Sequence, residues 1–216
     1  MRGRGPSSSG TTTRRSRIRK VIEQRQEGII VLENIADPHN AAAVWRTAEA
    51  FGFQKIYLAY SKEKIINPKK IGKASSSSAN KWLSFKIFKN IDECYEKLRK
   101  DGYKIYATVL DETARKIRDS RFENKKIAIV LGNEHRGLSN EAIKGADEKI
   151  YIPMKGMVQS LNISVTAAIL IYEVDRQRNH PPTPSLNKEG EKIIKVNYRL
   201  DVEERKKLEE EFSWKK

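Results

Sequence analysis

IYIPMKGMVQSLNISVTAAILIYEV, residues 150–174, is the stretch of this chain that decides its fold. A strand-like run ends at Pro153, a short loop follows, and the polar residues Gln159, Ser160 and Asn162 lie at the start of a long apolar helix. A helix N-terminus exposes backbone N–H groups that have no partner within the helix, so it is a natural place to hold a polar ligand. The same pattern also fits a plain capped helix, with Ser160 or Asn162 as the cap. Residues elsewhere in the chain must decide between these two interpretations.

Apolar runs of strand length alternate with helical segments along the rest of the chain. The predicted strands cover residues 28–33, 55–60, 82–88, 103–110, 126–132 and 149–153. The predicted helices cover residues 14–27, 38–51, 91–100, 139–144, 161–178 and 201–212. Apolar strands that are separated by helices are typical of a parallel sheet with both faces covered. The sequence therefore predicts an α/β fold with a mostly parallel sheet and short helical extensions at both ends.

Composition divides the chain into four parts. Residues 1–13 are rich in Gly, Ser and Thr, which predicts a disordered basic arm, and residues 14–27 have the spacing of a basic helix with one apolar face. Residues 28–178 contain the α/β domain. Residues 179–216 contain three prolines and then a charged helical pattern, so we expect a linker and a helix that packs through Leu208. A second packing residue of that helix is Phe212.

Positive charge is concentrated near the N-terminus. The formal net charge of the chain is +15, and residues 1–26 carry eight Lys/Arg against one acid. Such an arm suits a polyanion such as RNA through phosphate contacts, although a solubilising or targeting role also fits the charge. The predicted RNA contacts are the basic side chains of the first helix: Arg14, Arg15, Arg17, Arg19 and Lys20.

Cysteine and histidine usage limits the chemistry that we expect. Cys94 is the only cysteine of the sequence, which excludes an intrachain disulfide or a zinc knuckle and favours a cytoplasmic location. The three histidines show no metal-ligand spacing, so we expect no metal. No apolar run approaches the ~20 residues of a membrane span, and the N-terminus lacks the apolar core of a secretory signal. We therefore expect no membrane contact.

Two further segments carry polar residues in places where α/β proteins bind ligands. LGNEHRG, residues 131–137, follows a buried strand, but it contains neither GxGxxG nor GxxxxGK[ST]. A dinucleotide enzyme or a nucleoside triphosphatase is therefore disfavoured. The segment fits either a ligand-binding loop at the carboxyl end of a strand or a plain polar loop. In PHNAAAVWRTAEAFGF, residues 38–53, Asn40 and Arg46 lie on different sides of an ideal helix unless Asn40 belongs to the first turn. An arginine there fits either a structural ion pair or a phosphate ligand.

Taken together, three segments resemble one protein family. PHNAAAVWRTAEAFGF, IAIVLGNEHRGLS and IYIPMKGMVQSLNISVTAAILIYE are similar, in order and spacing, to the three motifs of the SpoU family of RNA 2′-O-ribose methyltransferases. The resemblance covers the chain from Arg14 to Arg178. It implies S-adenosylmethionine as the cofactor, a deep trefoil knot in the C-terminal half of the domain, and a homodimer. Within the family, the match is strongest to enzymes that methylate the D-loop guanosine 18 of tRNA, so tRNA is the implied partner.

The resemblance also implies roles for individual residues. The implied catalytic residues are Asn40, Arg46, Glu134, Ser160 and Asn162. The implied cofactor contacts are Thr108, Leu131, Gly132, Ile152, Met154 and Leu161. We expect Arg46 to act electrostatically on the ribose hydroxyl, because a guanidinium stays protonated up to about pH 12. We expect Glu134 to orient the motif loops rather than to accept a proton.

Three other functions were compared with this one. A SpoU enzyme that acts on ribosomal RNA would carry the same motifs, but such relatives usually have a separate N-terminal RNA-binding domain, and only about 27 residues precede the first predicted strand here. A non-catalytic RNA-binding protein with this fold is disfavoured because the five implied catalytic residues are intact. A base methyltransferase that uses covalent attack needs a cysteine in its site, and Cys94 lies on a predicted amphipathic helix instead.

Overall fold

Strands and helices alternate along the chain as the sequence predicts. The computed structural model describes residues 13–71, 79–111, 113–179 and 199–214. The strands are β1 (Gln26–Glu33), β2 (Phe53–Ala59), β3 (Ser84–Phe88), β4 (Lys104–Thr108), β5 (Arg115–Lys116), β6 (Ile127–Leu131) and β7 (Glu148–Tyr151). The helices are α1 (Arg14–Glu23), α2 (Pro38–Ala50), α3 (Ile91–Lys100), α4 (Asn140–Gly145), α5 (Ile163–Asn179) and α6 (Val202–Trp214). Two short 3-10 helices lie at Ala79–Lys81 and Ile117–Asp119.

Each predicted strand and helix is present, with ends that differ by a few residues. Helix α1 ends at Glu23, earlier than expected, because Gln26 and Glu27 are already buried in strand β1. Strand β5 was not predicted, since two residues are too short to show a period. The predicted disordered arm lies outside the described residues except for Thr13, whose hydroxyl caps α1. Most of the predicted linker, residues 180–198, lies outside them as well.

All seven strands are parallel and form one sheet in the order β3-β2-β1-β6-β4-β7-β5. Helices α2 and α5 cover one face, where Trp45 and Leu170 belong to the larger core cluster. Helices α3 and α4 cover the other face, where Cys94 and Ala142 are fully buried. The central strands β1 and β6 are buried along their whole length for this reason. The predicted α/β fold with helices on both faces is confirmed.

The C-terminal helix packs against its own domain. Leu208 and Phe212 of α6 are buried together with Ile22 of α1. The Phe212 ring also meets Trp82 edge to face, with 5.0 Å between the ring centroids. Both predicted packing residues of this helix therefore face the protein core, and α6 fastens α1 to the edge of the sheet.

The arrangement of the sheet brings the three motif segments to one edge. Strands β1, β6, β4 and β7 are neighbours and run in the same direction, so the segments that follow them meet at their carboxyl ends. These segments are residues 34–37, 132–139, 109–111 and 152–162. Ligands of open α/β sheets bind beyond the carboxyl ends of strands, so the site is expected at this edge.

Candidate active site

A cavity of about 420 Å³ lies at the carboxyl ends of β4, β6 and β7. Its size falls within the range of about 300–1,000 Å³ that is usual for small-molecule sites. Apolar side chains form much of its wall, among them Ile150, Ile163 and Leu170. It is also lined by every residue that the resemblance implies as a cofactor contact: Thr108, Leu131, Gly132, Ile152, Met154 and Leu161.

The loop after β6 forms one wall of the cavity and is held closed by its own polar groups. Asn133 is buried, and its side-chain oxygen accepts hydrogen bonds from the backbone N–H groups of His135 and Arg136, at 2.9 and 3.1 Å. The backbones of Asn133 and Gly137 also pair with each other at 3.0 and 2.9 Å. A Cβ atom on Gly132 would lie only 2.2 Å from the Gly137 carbonyl carbon, so a glycine is required there.

A chain of side-chain hydrogen bonds joins the three motifs beside this cavity. The amide of Asn162 donates to the Asn40 oxygen at 3.0 Å, and the amide of Asn40 donates to Glu134 Oε1 at 3.1 Å. The Glu134 carboxylate also accepts from the backbone N–H groups of Ala36 and Asp37, each at 3.2 Å. Glu134 therefore makes the contacts expected of a residue that orients the loops around it.

Asn162 combines a helix cap with a place in this chain of hydrogen bonds. Its side-chain oxygen accepts from the backbone N–H and the hydroxyl of Ser164, at 2.8 and 2.6 Å, at the start of α5. Ser160 is exposed and lines the cavity. The two interpretations of the opening stretch are therefore compatible, because Asn162 caps the helix while its neighbours Ser160 and Leu161 line the cavity.

Arg46 lies further along helix α2 than Asn40 and outside the lining of the cavity. Asn40 lies in the first turn of α2, as the sequence requires if the two residues are to approach one site, whereas Arg46 is exposed further along the helix. Of the five implied catalytic residues, Glu134 and Ser160 line the cavity, whereas Asn40, Arg46 and Asn162 do not. Its helix packs against α5, the helix that carries Asn162 at its start.

Two buried polar residues at this edge were not singled out from the sequence. Glu33 is almost fully buried and accepts from the backbone N–H and the hydroxyl of Ser139, at 2.9 and 2.6 Å. Asn34 has a positive φ of 50° and receives the amide of Asn133 on its carbonyl oxygen at 2.7 Å. The sequence signal for these two residues is a polar pair at the end of an apolar strand. Polar side chains are unusual in buried positions.

Two potential nucleophiles among the described residues, Tyr60 and Cys94, are not activated. Burial raises the pKa of the Tyr60 phenol to about 12, and the nearby Glu134 carboxylate acts in the same direction. Burial also raises the pKa of the Cys94 thiol to about 12, and this side chain lies in the core on the opposite face of the sheet. Both groups are protonated at neutral pH, so neither serves as a nucleophile or base.

The described residues contain no group of three His, Cys, Asp or Glu side chains that could hold a metal ion. Within the same part of the chain, none of the helices has the length and hydropathy needed to span a membrane.

Residues 27–172 match the family model of the SpoU rRNA Methylase family. The chain belongs to the SpoU family. The matched residues include the cavity and the hydrogen-bonded chain from Asn162 through Asn40 to Glu134, and they exclude α1 and α6.

Two relatives of this SpoU protein carry the name tRNA (guanosine(18)-2′-O)-methyltransferase. The relative from Thermus thermophilus is 37% identical over 172 residues, which is 78% of this chain and 84% of the relative. The relative from Aquifex aeolicus is 36% identical over 203 residues, which is 90% of this chain and 93% of the relative. The match to the second extends over most of the chain, beyond the residues of the family model.

Solved structures show the same architecture. The A. aeolicus TrmH/SpoU tRNA modifying enzyme superposes with a TM-score of 0.77 and 31% identity, covering 93% of this chain and 95% of that one. The SpoU methyltransferase AviRb from Streptomyces viridochromogenes, in complex with AdoMet, has a TM-score of 0.61 and 25% identity. That comparison covers 76% of this chain and 62% of AviRb.

Proposed function

We propose that this SpoU protein is an S-adenosylmethionine-dependent tRNA (guanosine-18-2′-O)-methyltransferase. The observation that carries the proposal is the hydrogen-bonded chain from Asn162 through Asn40 to Glu134, beside a cavity lined by all six implied cofactor contacts. Relatives with this named activity match 78–90% of the chain, which supports tRNA as the substrate. The AdoMet complex of AviRb supports the cofactor.

The chemistry of the cavity fits S-adenosylmethionine. Apolar walls from Leu131, Ile152 and Leu161 suit an adenine ring, and the backbone groups of the neighbouring loops suit its polar edges. The hydroxyl of Thr108 donates to the Val130 carbonyl at 2.9 Å, so its oxygen lone pairs are fixed in direction and can accept a hydrogen bond. When bound, the cofactor supplies an electrophilic methyl group on a sulfonium centre.

The protein has to position a ribose 2′-hydroxyl and ease the loss of its proton. Arg46 lowers the pKa of that hydroxyl electrostatically and holds the adjacent phosphate, while its guanidinium stays protonated. A phosphate oxygen or a water molecule accepts the proton. Glu134, Asn40 and Asn162 fix the three motif segments relative to one another, which contributes to catalysis through positioning.

The proposal includes a homodimer that forms through α5. Val165, Ile169 and Tyr172 follow one another at helical spacing on α5 and are 45%, 36% and 56% exposed, an unusually apolar surface for a helix face. The Tyr172 ring extends this surface to Phe51, with 6.2 Å between the ring centroids. Because α2 packs against α5, the dimer would bring the Arg46 side chain of one protomer towards the cavity of its partner.

The proposed dimer is tested by Ile169→Glu. A buried, unpaired carboxylate would disrupt an interface through α5, so this variant is expected to elute as a monomer in size-exclusion chromatography with light scattering. It is also expected to lose methyl transfer if Arg46 acts across the interface. A matched control is Ile87→Glu, because Ile87 is 44% exposed on strand β3 at the far edge of the sheet. An Ile169→Glu variant that keeps the size of the wild type contradicts the proposed interface.

The proposal also assigns RNA contacts to the basic face of α1. All five predicted contacts of this helix are exposed: Arg14, Arg15, Arg17, Arg19 and Lys20. Arg19 forms an ion pair with Glu209 of α6 at 3.1 Å, so part of this charge is balanced within the chain. Because Ile22 packs into the core under α6, substitutions such as Arg15→Ala with Arg17→Ala test the role better than a deletion of the helix.

The decisive experiment is incubation of the protein with radiolabelled S-adenosylmethionine and unmodified tRNA, followed by nucleoside mapping. We expect 2′-O-methylguanosine at position 18 of the D-loop. Label confined to ribosomal RNA would support the alternative SpoU enzyme, and binding of the cofactor without transfer to any RNA would support a non-catalytic RNA-binding protein. Arg46→Lys is expected to lose most activity, because an ammonium cannot make the planar bidentate contact of a guanidinium.

The trefoil knot and the cytoplasmic location belong to the same proposal. The knot is supported by the match to the family and by two contacts: residues of the segments 132–138 and 152–162 line one cavity, and α5 then packs against α2. The location is supported by the names of the relatives, whose substrate is tRNA.

A further inference from the structure

A basic loop lies beside the candidate active site and has no part in the function described so far. Residues 61–71, SKEKIINPKKI, follow strand β2 and are called the lysine loop below. Its lysines are exposed: Lys62, Lys64, Lys69 and Lys70. The one acidic residue of the loop, Glu63, is paired with Arg136. Within the described part of the chain, the four ammonium groups make no ion pair within 4.0 Å, and only Lys62 interacts electrostatically with a carboxylate, that of Glu141, so the loop presents an excess of positive charge.

Hydrogen bonds and apolar anchors fix the shape of the lysine loop. The side-chain oxygen of Asn34 accepts from the backbone N–H groups of Ser61 and Lys62, at 2.9 and 3.0 Å. At the other end, the amide of Asn80 donates to the carbonyl groups of Pro68 and Ile71, each at 2.9 Å. Ile66 is buried in the larger core cluster between these two ends, and Ile71 packs against the same cluster. The lysine stems therefore project from a defined backbone.

The same contacts place the lysine loop next to the motif-two segment. Asn34 holds the loop with its side chain and receives the amide of Asn133 on its carbonyl oxygen at 2.7 Å. Asn133 begins the loop that lines the cavity, and Arg136 of that loop is the partner of Glu63. The lysine loop and the cavity are thus joined through Asn34 on one side and an ion pair on the other.

We propose that the lysine loop binds the sugar–phosphate backbone of the RNA strand that flanks the methylated nucleotide. This inference rests on the proposed function. Exposed ammonium groups on a fixed backbone are suited to phosphates, and neutralising phosphates releases counterions from the nucleic acid. Ile65 is 56% exposed between Lys64 and the buried Ile66, and offers an apolar surface to a ribose or a base edge. The loop would thereby determine on which side of the target nucleotide the RNA strand leaves the site.

The test is the salt dependence of RNA binding by a variant in which the four lysines are replaced, K62A/K64A/K69A/K70A. Each lost phosphate contact reduces the slope of log affinity against log salt by about 0.7–0.9, so we expect a decrease of about 3 in magnitude. Binding of unmodified tRNA in near-physiological salt is expected to weaken at least about tenfold. The affinity for S-adenosylmethionine is expected to stay unchanged, because none of these lysines lines the cavity.

A matched control keeps this test specific. Lys100 and Lys125 are exposed and lie just before β4 and β6, at the amino-terminal edge of the sheet opposite the site. The variant K100A/K125A is compared with the two halves of the loop, K62A/K64A and K69A/K70A, each of which also removes two positive charges. If the loop pairs change the slope no more than the control, the proposal is overturned.

The two proposals fail in different ways. A wild-type protein that neither binds nor methylates RNA contradicts the proposed function. A wild-type protein that methylates tRNA while the loop variants bind it with the affinity and salt slope of the wild type contradicts only the role of the lysine loop. Circular dichroism and cofactor binding of the same variants show whether a loss of RNA affinity reflects unfolding instead.

Discussion

The substitution Glu134→Gln distinguishes two roles for Glu134: orienting the loops around it and accepting a proton. The carboxylate accepts three hydrogen bonds, from the backbone N–H groups of Ala36 and Asp37 and from the Asn40 amide. Glutamine can keep the two bonds to Oε1, but its amide group then points at the Ala36 N–H, so donor faces donor. The remaining two bonds also lose their charge assistance.

The free-energy cost of Glu134→Gln follows from these three hydrogen bonds. Charge-assisted hydrogen bonds contribute about 1.5–3 kcal/mol each, and distances of 3.1–3.2 Å with partial exposure place these three at the lower end. Losing one and weakening two costs about 2 kcal/mol. If this loss destabilises the productive arrangement of the loops, kcat/KM of Glu134→Gln decreases about 10- to 30-fold. Because the loops line the cavity, the affinity for S-adenosylmethionine decreases too.

The assay compares methyl transfer to tRNA, cofactor affinity and the pH–rate profile of Glu134→Gln with those of the wild type. Glu141→Gln is the control, since Glu141 is an exposed carboxylate in the first turn of α4. An orienting role predicts a changed cofactor affinity and a pH profile of unchanged shape. A loss above about 1,000-fold, with the acid limb of the profile removed and cofactor affinity intact, would refute this reasoning and identify Glu134 as a general base.

Two other substitutions and one thiol-labelling experiment test the packing of the molecule. Gly132→Ala places a methyl group against the Gly137 backbone and is expected to destabilise the protein by about 1–3 kcal/mol and to weaken cofactor binding, measured by thermal melting and calorimetry. Phe212→Ala is expected to cost about 3–5 kcal/mol, seen as a melting temperature lower by about 6–20 °C, whereas Val202→Ala on the exposed side of α6 changes it little. Cys94 is expected to react with thiol reagents only after denaturation, and rapid labelling of the native protein would contradict its burial.

Local patterns were sufficient to predict most of the fold. Apolar runs located every strand of more than two residues. The central strands are apolar throughout because they are buried on both faces, as in Ile29–Leu32 of β1. The same period located α3 at its observed bounds. It failed for β5, where two residues carry no period, and at the end of α1, where buried Arg25 and Gln26 are polar.

The candidate site was predicted less completely. The resemblance named Asn40, Glu134 and Asn162, and the cavity-lining residues, from their motifs. The supporting residues Glu33 and Asn34 were missed, because a buried polar side chain is recognised by its partners, and its partners are distant in the chain. Ser139 is 106 residues from Glu33, and Asn133 is 99 residues from Asn34.

The sequence by itself determined which segments form strands and helices, that one end of the chain is basic, and which three motifs it carries, because each of these depends on neighbouring residues. Only the tertiary structure decided the strand order, the docking of α6 on α1, and the meeting of Asn40 with Asn162, which are 122 residues apart and 3.0 Å from each other. The same holds for the lysine loop, whose charges acquire a position beside the cavity through Asn34. Such contacts depend on the packing of the whole sheet, and no local period contains them.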